Sequence, residues 1–221
     1  MTRELRLHRK AAAEGTATSL MVFLHGYGAD GKDLLGIGDA LAPHFPGTAF
    51  VAPDAPDPCI NNPMGFQWAS IPRMDGSSEE DADAAFAASA DDIQALLDDL
   101  LAEYDLPPTR LILFGFSQGC MLGLHVTPRR AEALGGLIGV SGWMKSPETL
   151  AAEATAKPPV LLVHGDMDDV VPIQGMQQAG AALEQAGFTV YGHVMKGTGH
   201  GIAPDGIQVA MAFMQDRLSD G

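Results

Sequence analysis

Short runs of apolar and β-branched residues alternate along the chain with longer segments in which apolar residues recur every three or four positions. Runs of the first kind, closed by glycine or another turn residue, are typical of buried strands. Segments of the second kind predict amphipathic helices. The predicted strands cover residues 20–24, 49–52, 111–114, 137–140, 160–163 and 188–194, the last of them near an edge. The predicted helices cover residues 32–42, 78–104, 118–126, 147–156, 173–186 and 205–218.

This alternation predicts an α/β fold. Strands separated by helices form βαβ units, so the central sheet should be mainly parallel and covered by helices on both faces. The chain has 221 residues, of which 46% are hydrophobic and 19% are charged, and no segment reads as a linker. We therefore expect one compact domain over residues 1–221. Ligands of such sheets bind beyond the carboxyl ends of the strands, where the chemistry should lie.

One long segment, residues 53–77, fits neither pattern. It is rich in proline, glycine and asparagine, and it is too long for a simple connection between two elements. Loops of this length tend to be lids or binding loops. Because it also carries several large apolar residues, we expect it to form a flap over a pocket.

The charge balance limits the partners. Lysine and arginine number 13 against 28 aspartates and glutamates, which gives a formal net charge of -15. Such a surface repels nucleic acid and anionic lipid, so neither is an expected partner.

No apolar run approaches the roughly 18 residues of a membrane helix, and the N-terminus lacks a secretory signal, which favours the cytoplasm. Cys59 and Cys120 are too few for a disulfide framework or a structural zinc site. A homodimer remains open.

A nucleophile is predicted where the strand at 111–114 meets the helix at 118–126. Residues 115–119 read Gly-Phe-Ser-Gln-Gly, which is G-x-S-x-G placed between a strand and a helix. In this arrangement the serine occupies a strained turn, and the small flanking residues let strand and helix approach closely. Ser117 is therefore the candidate nucleophile.

A serine hydroxyl needs a general base and a group that orients the base. Of the seven histidines, His200 lies in a glycine-rich loop directly after the last predicted strand, at the catalytic edge. The acid should come from a strand end between the serine and the histidine. Asp166, Asp168 and Asp169 all follow the strand at 160–163, and their spacing alone does not choose among them.

An early His-Gly loop completes the candidate machinery. Residues 25–26 follow the strand at 20–24, the place where a backbone donor for a tetrahedral oxyanion originates in this kind of site. The second donor is the N–H group of the residue after the nucleophile. We expect the backbone N–H groups of Tyr27 and Gln118 to form the oxyanion hole.

Four landmarks together resemble the phospholipase/carboxylesterase family of α/β-hydrolases. They are LHGYGADGKDL at 24–34, APDAP with FQW within 52–68, GFSQG at 115–119, and HGDMDDVVP with GTGH within 164–200. The resemblance implies an α/β-hydrolase fold without a separate cap domain, with Asp168 as the acid and His200 as the base. Family members often have proline where this chain has Asp169, which leaves Asp169 as a minor rival. The motifs are more similar to those of small bacterial carboxylesterases than to those of eukaryotic thioesterases.

The resulting hypothesis is a serine carboxylesterase that hydrolyses small-molecule carboxylic esters with short to medium acyl chains. Ser117, His200 and Asp168 would act through an acyl-enzyme intermediate without metal or organic cofactor. The alternatives are an acyl-protein thioesterase or lysophospholipase, a small serine peptidase, and a non-catalytic binding protein with the same fold.

The acyl group should lie in a groove between the flap at 53–77 and the strand end at 141–144. Methionine and aromatic side chains form adaptable apolar walls of this kind. The residues predicted to line the groove are Met64, Phe66, Trp68, Ile71, Trp143 and Met144.

Overall fold

A seven-stranded sheet forms the centre of the protein, which a computed structural model describes over residues 2–219. In chain order the strands are β1 (Leu7–Lys10), β2 (Ser19–Leu24), β3 (Thr48–Pro53), β4 (Asp57–Cys59), β5 (Asn62–Gln67), β6 (Leu111–Phe116), β7 (Gly136–Val140), β8 (Val160–Gly165) and β9 (Val190–Met195). The order in the central sheet is β1-β3-β2-β6-β7-β8-β9, and every neighbouring pair is parallel except β1 with β3.

The six predicted strands and the mainly parallel sheet are confirmed, whereas β1 was missed. Its sequence, Leu-His-Arg-Lys, carries too few apolar residues to read as a strand. It forms because β3 offers a free edge with which it pairs antiparallel. Charged side chains on such an edge strand also discourage pairing with other molecules.

Helices cover both faces of the sheet, as predicted. The helices are α1 (Gly31–Leu41), α2 (Pro72–Asp75), α3 (Glu79–Tyr104), α4 (Gln118–Val126), α5 (Leu150–Glu153), α6 (Gln174–Gln185) and α7 (Pro204–Leu218). Side chains of α3, α4 and α6 pack on one face, and those of α1 and α7 pack on the other. Strand β2 shows the division: Leu20, Val22 and Leu24 face the first core, and Met21 and Phe23 face the second. None of the helices in residues 2–219 is long and apolar enough to cross a membrane.

The helix predicted over 147–156 is shorter than expected. It consists of a 3-10 turn at Pro147–Thr149 followed by the four residues of α5. The helix ends because the N–H groups of Thr155 and Ala156 both donate to the carbonyl oxygen of Pro128, at 2.8 and 3.1 Å, instead of continuing the helical pattern.

The expectation that 53–77 is irregular needs correction. Strands β4 and β5 form an antiparallel hairpin within it, and α2 follows. The hairpin is bonded to the loop after β2, because the N–H of Gly28 donates to Phe66 O and the N–H of Phe66 donates to Ala29 O, both at 2.8 Å. A side chain at Gly65 would lie 2.0 Å from Gly28 O, so only glycine permits this approach.

The N-terminal arm fastens this hairpin to the long helix α3. The backbone N and Nε of Arg3 each donate to the buried carboxylate of Asp92 at 2.7 Å. The two terminal nitrogens of Arg3 reach Asp57 Oδ2 in β4 at 3.3 Å and Ser89 Oγ at 3.2 Å. The segment predicted to be a flap is therefore anchored at several points.

Two glycines give a stability test of the core. A Cβ at Gly136, at the start of β7, would lie 2.6 Å from the ring of Phe213 in α7, which also contacts Tyr191. We expect Gly136→Ala to lower the free energy of unfolding by about 1–3 kcal/mol through overpacking. At Gly180, inside α6, the nearest atom would be Leu162 Cδ1 at 3.6 Å. Gly180→Ala should therefore raise that free energy by about 0.5–1 kcal/mol.

Urea denaturation of both variants measures these changes. Equal destabilisation by the two substitutions would contradict the packing described for α7 against β7.

Candidate active site

Ser117 lies at a sharp turn between β6 and α4. Its φ of 54° and ψ of -114° are strained for a residue with a side chain. Glycines on either side permit the turn: a Cβ at Gly115 would lie 2.3 Å from Gly119 O, and one at Gly119 would lie 2.0 Å from Leu24 O. The N–H of Ser117 donates to Val140 O in β7 at 2.9 Å, which fixes the turn to the neighbouring strand.

Three side chains form a hydrogen-bonded line at this turn. His200 Nε2 lies 3.0 Å from Ser117 Oγ, and His200 Nδ1 lies 2.8 Å from Asp168 Oδ2. Since an ionised carboxylate only accepts hydrogen bonds, Nδ1 carries the proton and Nε2 is free to accept one from the serine. The His200 ring also packs against Phe116, with ring centroids 5.0 Å apart, which limits its rotation.

Asp168 is held by its own turn as well as by the histidine. Its Oδ1 accepts the N–H groups of Val170 and Val171 at 3.0 and 2.8 Å. Burial raises the pKa of Asp168, but the hydrogen bonds from His200 and from these N–H groups outweigh burial and leave the pKa below its ordinary value. The carboxylate is therefore ionised at neutral pH.

The other two candidate aspartates lie elsewhere. Asp166 accepts the N–H of Gly197 at 2.7 Å and pairs with Lys196 at 3.3 Å, so it fastens the loop that carries His200. Asp169 is exposed. Of the three, Asp168 is the one whose carboxylate reaches the histidine.

His164 lies near the end of β8 and contacts Asp168. The sequence motifs did not predict a role for it. It is fully buried, and its Nε2 lies 2.8 Å from Val171 O and 3.3 Å from Asp168 Oδ2. Because both neighbours are acceptors, Nε2 carries the proton. The available signal is that His164 lies at the end of the same buried strand whose following turn carries Asp168.

The two predicted oxyanion donors border the serine. A Cβ at Gly26 would lie 3.2 Å from Ser117 Cβ, so the loop that carries Tyr27 passes directly beside the nucleophile. Within residues 2–219, neither the N–H of Tyr27 nor that of Gln118 donates a hydrogen bond to a protein acceptor. Unengaged N–H groups beside a nucleophile suit a developing oxyanion.

The side chain of Tyr27 makes contacts that are independent of its backbone N–H group. Its hydroxyl lies 3.4 Å from Asp75 Oδ2 and accepts from Asn61 Nδ2 at 3.3 Å. Burial, together with the neighbouring Cys59 and Asp75, raises the pKa of Tyr27, so the phenol is neutral. These contacts join the loop after β2, which carries Tyr27, to α2.

A cavity of about 470 Å³ opens at Ser117 and His200. Its wall is mostly apolar, and it runs between α2, the start of α3, the α4 residue Met121 and the loop after Asp168. The apolar side chains on this wall are Ala69, Ile71, Pro72, Met74, Ala82, Phe86, Met121, Trp143, Val170, Val171 and Pro172.

Of the six residues predicted to line a groove, Ile71 and Trp143 lie on this wall and four do not. Met64 points to solvent from β5 with 86% of its surface exposed. Phe66 lies beside the loop after β2, and Trp68 and Met144 are buried in the core instead. The prediction missed Met121, although it lies one helical turn after Ser117 on the same side of α4.

Charged residues at the cavity balance one another. Arg73, Lys145, Glu79 and Asp83 all contribute to its lining, two of each sign. Lys145 pairs with Asp83, and its Nζ lies 5.5 Å from the centre of the Phe86 ring. In the part of the chain that the structure describes, no group of three or more His, Cys, Asp or Glu side chains is placed to hold a metal ion.

Fold and site geometry together define an α/β-hydrolase, and comparison with known proteins identifies which kind. The chain belongs to the phospholipase/carboxylesterase family, whose model matches residues 9–218. The predicted resemblance and fold class are thereby confirmed.

Individual relatives agree with this assignment. The structure of esterase PE8 is similar with a TM-score of 0.89 at 42% identity, over 98% of this chain and all of that one. Acyl-protein thioesterase 2 of Zea mays has a TM-score of 0.76 at 26% identity, over 97% and 99% of the two chains. Among sequences, acyl-protein thioesterase 1 of Saccharomyces cerevisiae is 29% identical over 96% of this chain and 98% of its own length. The protein is a hydrolase of the esterase and thioesterase class.

The competing aspartates give a direct test of the site. We expect Asp168→Asn to lower kcat by about 10⁴, because an amide in place of the carboxylate favours the wrong tautomer of His200. Asp169→Asn, one position away and exposed, should keep kcat within about twofold, because the carboxylate bonded to His200 is that of Asp168. Steady-state hydrolysis of a p-nitrophenyl ester measures both. The reverse pattern would assign the acid to Asp169.

Proposed function

We propose that this protein is a serine carboxylesterase that cleaves carboxylic esters with short to medium acyl chains. The observation that carries the proposal is the continuous line from Ser117 Oγ to His200 Nε2, at 3.0 Å, and from His200 Nδ1 to Asp168 Oδ2, at 2.8 Å. Both distances allow a proton to pass without movement of the backbone.

In the first half-reaction, Ser117 Oγ attacks the ester carbonyl while His200 Nε2 takes its proton. Asp168 holds the imidazole in the reactive tautomer and stabilises the imidazolium that forms. The N–H groups of Tyr27 and Gln118 receive the oxyanion, each contributing roughly 3 kcal/mol of transition-state stabilisation. His200 then protonates the leaving alcohol, and an acyl-enzyme remains.

In the second half-reaction, water takes the place of the serine hydroxyl. His200 accepts a proton from the water as its oxygen attacks the acyl carbonyl, and the same two N–H groups hold the second oxyanion. His200 returns the proton to Ser117 Oγ as the acid leaves. Ser117, His200 and Asp168 therefore account for every proton transfer in the two half-reactions.

The cavity supports a substrate with an apolar, uncharged acyl group. Its wall is mainly apolar, and the two positive and two negative residues in its lining leave no net charge to select an ionised acyl group. Burial of methylene groups against this wall contributes about 0.8 kcal/mol each. The affinity should therefore rise with chain length until the cavity is filled.

A second candidate function is hydrolysis of long-chain acyl thioesters or lysophospholipids. It is favoured by the relatives named acyl-protein thioesterase 1 and by acyl-protein thioesterase 1 homolog 1 of Dictyostelium discoideum, which is 28% identical over 92% of each chain. The same serine and oxyanion donors can act on a thioester. Rates on oxygen esters and thioesters with identical acyl groups distinguish the two functions.

Further predictions concern binding partners, cellular location and oligomeric state. The formal charge of -15 disfavours binding of nucleic acid and of anionic membranes. A cytoplasmic location and a homodimer are expectations that rest on the sequence alone.

Replacement of the nucleophile is the primary test of the proposed function. Ser117→Ala should lower kcat by about 10⁴–10⁶ and leave the thermal unfolding temperature near that of the wild type. A fluorophosphonate should add to wild-type Ser117, seen as a mass shift on the peptide that contains it, and should leave Ser117→Ala unlabelled. More than a tenth of the wild-type activity in the variant would reject Ser117.

The position of the acyl group can be tested with a matched pair of substitutions. Ile71→Trp adds bulk to the cavity wall, so kcat/KM for octanoyl esters should fall at least tenfold relative to acetyl esters, the effect of losing room for one or two methylene groups. Met64→Trp adds the same bulk at an exposed position off the cavity and should leave that ratio unchanged. A change in this ratio caused by Met64→Trp, with none caused by Ile71→Trp, would indicate that the acyl group binds at the hairpin β4–β5 instead.

A further inference from the structure

Trp68, predicted from the sequence to line the acyl groove, lies between the two segments that carry the oxyanion donors. It is fully buried and follows β5 directly. Its indole Nε1 donates to His25 O at 2.9 Å, and its backbone N–H donates to Gln118 Oε1 at 2.9 Å. One residue thus bonds to both segments.

Gln118 closes this connection on the side of the nucleophile. Its side chain is 5% exposed, and its Nε2 donates to Ala69 O at 2.8 Å. The amide of Gln118 therefore bonds to the backbone on both sides of the Trp68–Ala69 peptide. The backbone N–H of the same residue is one of the two oxyanion donors, so movement of this side chain would shift that donor.

His25 closes the connection on the side of the early loop. Its Nε2 accepts the N–H of Ala55 at 2.9 Å, so its Nδ1 carries the proton and donates to Gly26 O at 2.8 Å. Burial lowers the pKa of His25, which keeps the imidazole neutral. Its ring lies 5.3 Å from that of Trp68. Tyr27, the other donor, is two residues further along the chain.

Helix α3 supports the same tryptophan from behind. Ser89 Oγ donates to Trp68 O at 2.6 Å and accepts from Arg3 at 3.2 Å. Every polar group of Trp68 therefore has a buried hydrogen bond: one to His25, one to Gln118 and one to Ser89. Hydrogen bonds in such low-dielectric surroundings are strong, and they are costly to leave unmade.

We propose that Trp68 is a positioning residue that sets the separation of the Tyr27 and Gln118 N–H groups and so preorganises the oxyanion hole. The inference rests on the proposed function, since it assigns to Trp68 a part in the same reaction. Donors stabilise an oxyanion only when they are aimed in advance at its position, and a displacement of about 1 Å can cost about 10²-fold in rate. A substrate-binding role would instead require Trp68 to touch the cavity.

Two substitutions distinguish the positioning of the oxyanion donors by Trp68 from its contribution to core packing. Trp68→Phe keeps an aromatic ring in the core but removes the indole donor, which leaves His25 O without its partner. Gln118→Met removes both side-chain hydrogen bonds and keeps the backbone N–H. Phe213→Leu, in the core on the opposite face of the sheet, is the control for a loss of stability without contact to the site.

The experiment measures kcat and KM for a butyrate ester, the inhibition constant of a trifluoromethyl ketone that mimics the tetrahedral intermediate, and the thermal unfolding temperature. For Trp68→Phe and Gln118→Met, we expect kcat to fall about tenfold to a hundredfold, with KM within threefold of wild type. Binding of the ketone should weaken by a similar factor. Phe213→Leu should lower the unfolding temperature and keep both kcat and the affinity for the ketone.

Retention of kcat and ketone affinity within twofold in both site variants would overturn the proposal, as would a rise in KM alone. A loss of kcat in Phe213→Leu as large as in the site variants would also overturn it, because packing would then explain the effect. If Trp68→Phe fails to fold, Gln118→Met decides. Failure of the wild type to hydrolyse the ester would instead count against the proposed function.

Discussion

The strained backbone at Ser117 is the constraint on which the rest of the site depends. A side chain at a φ of 54° costs about 1–3 kcal/mol, and such a conformation persists only where its surroundings hold it. Here β7 accepts the Ser117 N–H, and Gly119 brings α4 against the carbonyl of Leu24. The same close approach sets Ser117 beside the His25-Gly26 loop, so one strained turn places the candidate nucleophile next to the loop that carries Tyr27.

The remaining groups reach Ser117 from strand ends along one edge of the sheet. Parallel strands put the loops after β2, β6, β8 and β9 on that edge, which is why residues as distant as 27, 117, 168 and 200 meet there. The hairpin β4–β5 joins them through its bonds to residues 28 and 29 and through Trp68. The segment after β3 therefore holds the loop after β2 in place, and its α2 end forms a wall of the cavity.

Much of the fold was predictable because buried strands of a parallel sheet are apolar along their whole length. The line of Ser117, Asp168 and His200 was accessible because each residue follows a predicted strand. The order of the motifs limits the acid to the aspartates after β8, and the resemblance to the family selects Asp168 among them. Strand β1 escaped prediction because it is mostly polar and pairs with β3, which is distant in the sequence. The hairpin escaped because proline, glycine and polar residues interrupt the apolar pattern of its strands. Trp68 and Met64 were misplaced for a similar reason, since an apolar residue in a loop segment does not reveal whether it faces a cavity, the core or solvent.

The decisive measurement is a crystal structure of the protein after reaction with an alkyl fluorophosphonate. The proposed mechanism predicts a covalent bond from phosphorus to Ser117 Oγ, a phosphoryl oxygen about 3 Å from the N–H groups of both Tyr27 and Gln118, and the alkyl chain against Ile71 and Trp143. An adduct on another residue, or a phosphoryl oxygen turned away from both N–H groups, would contradict it.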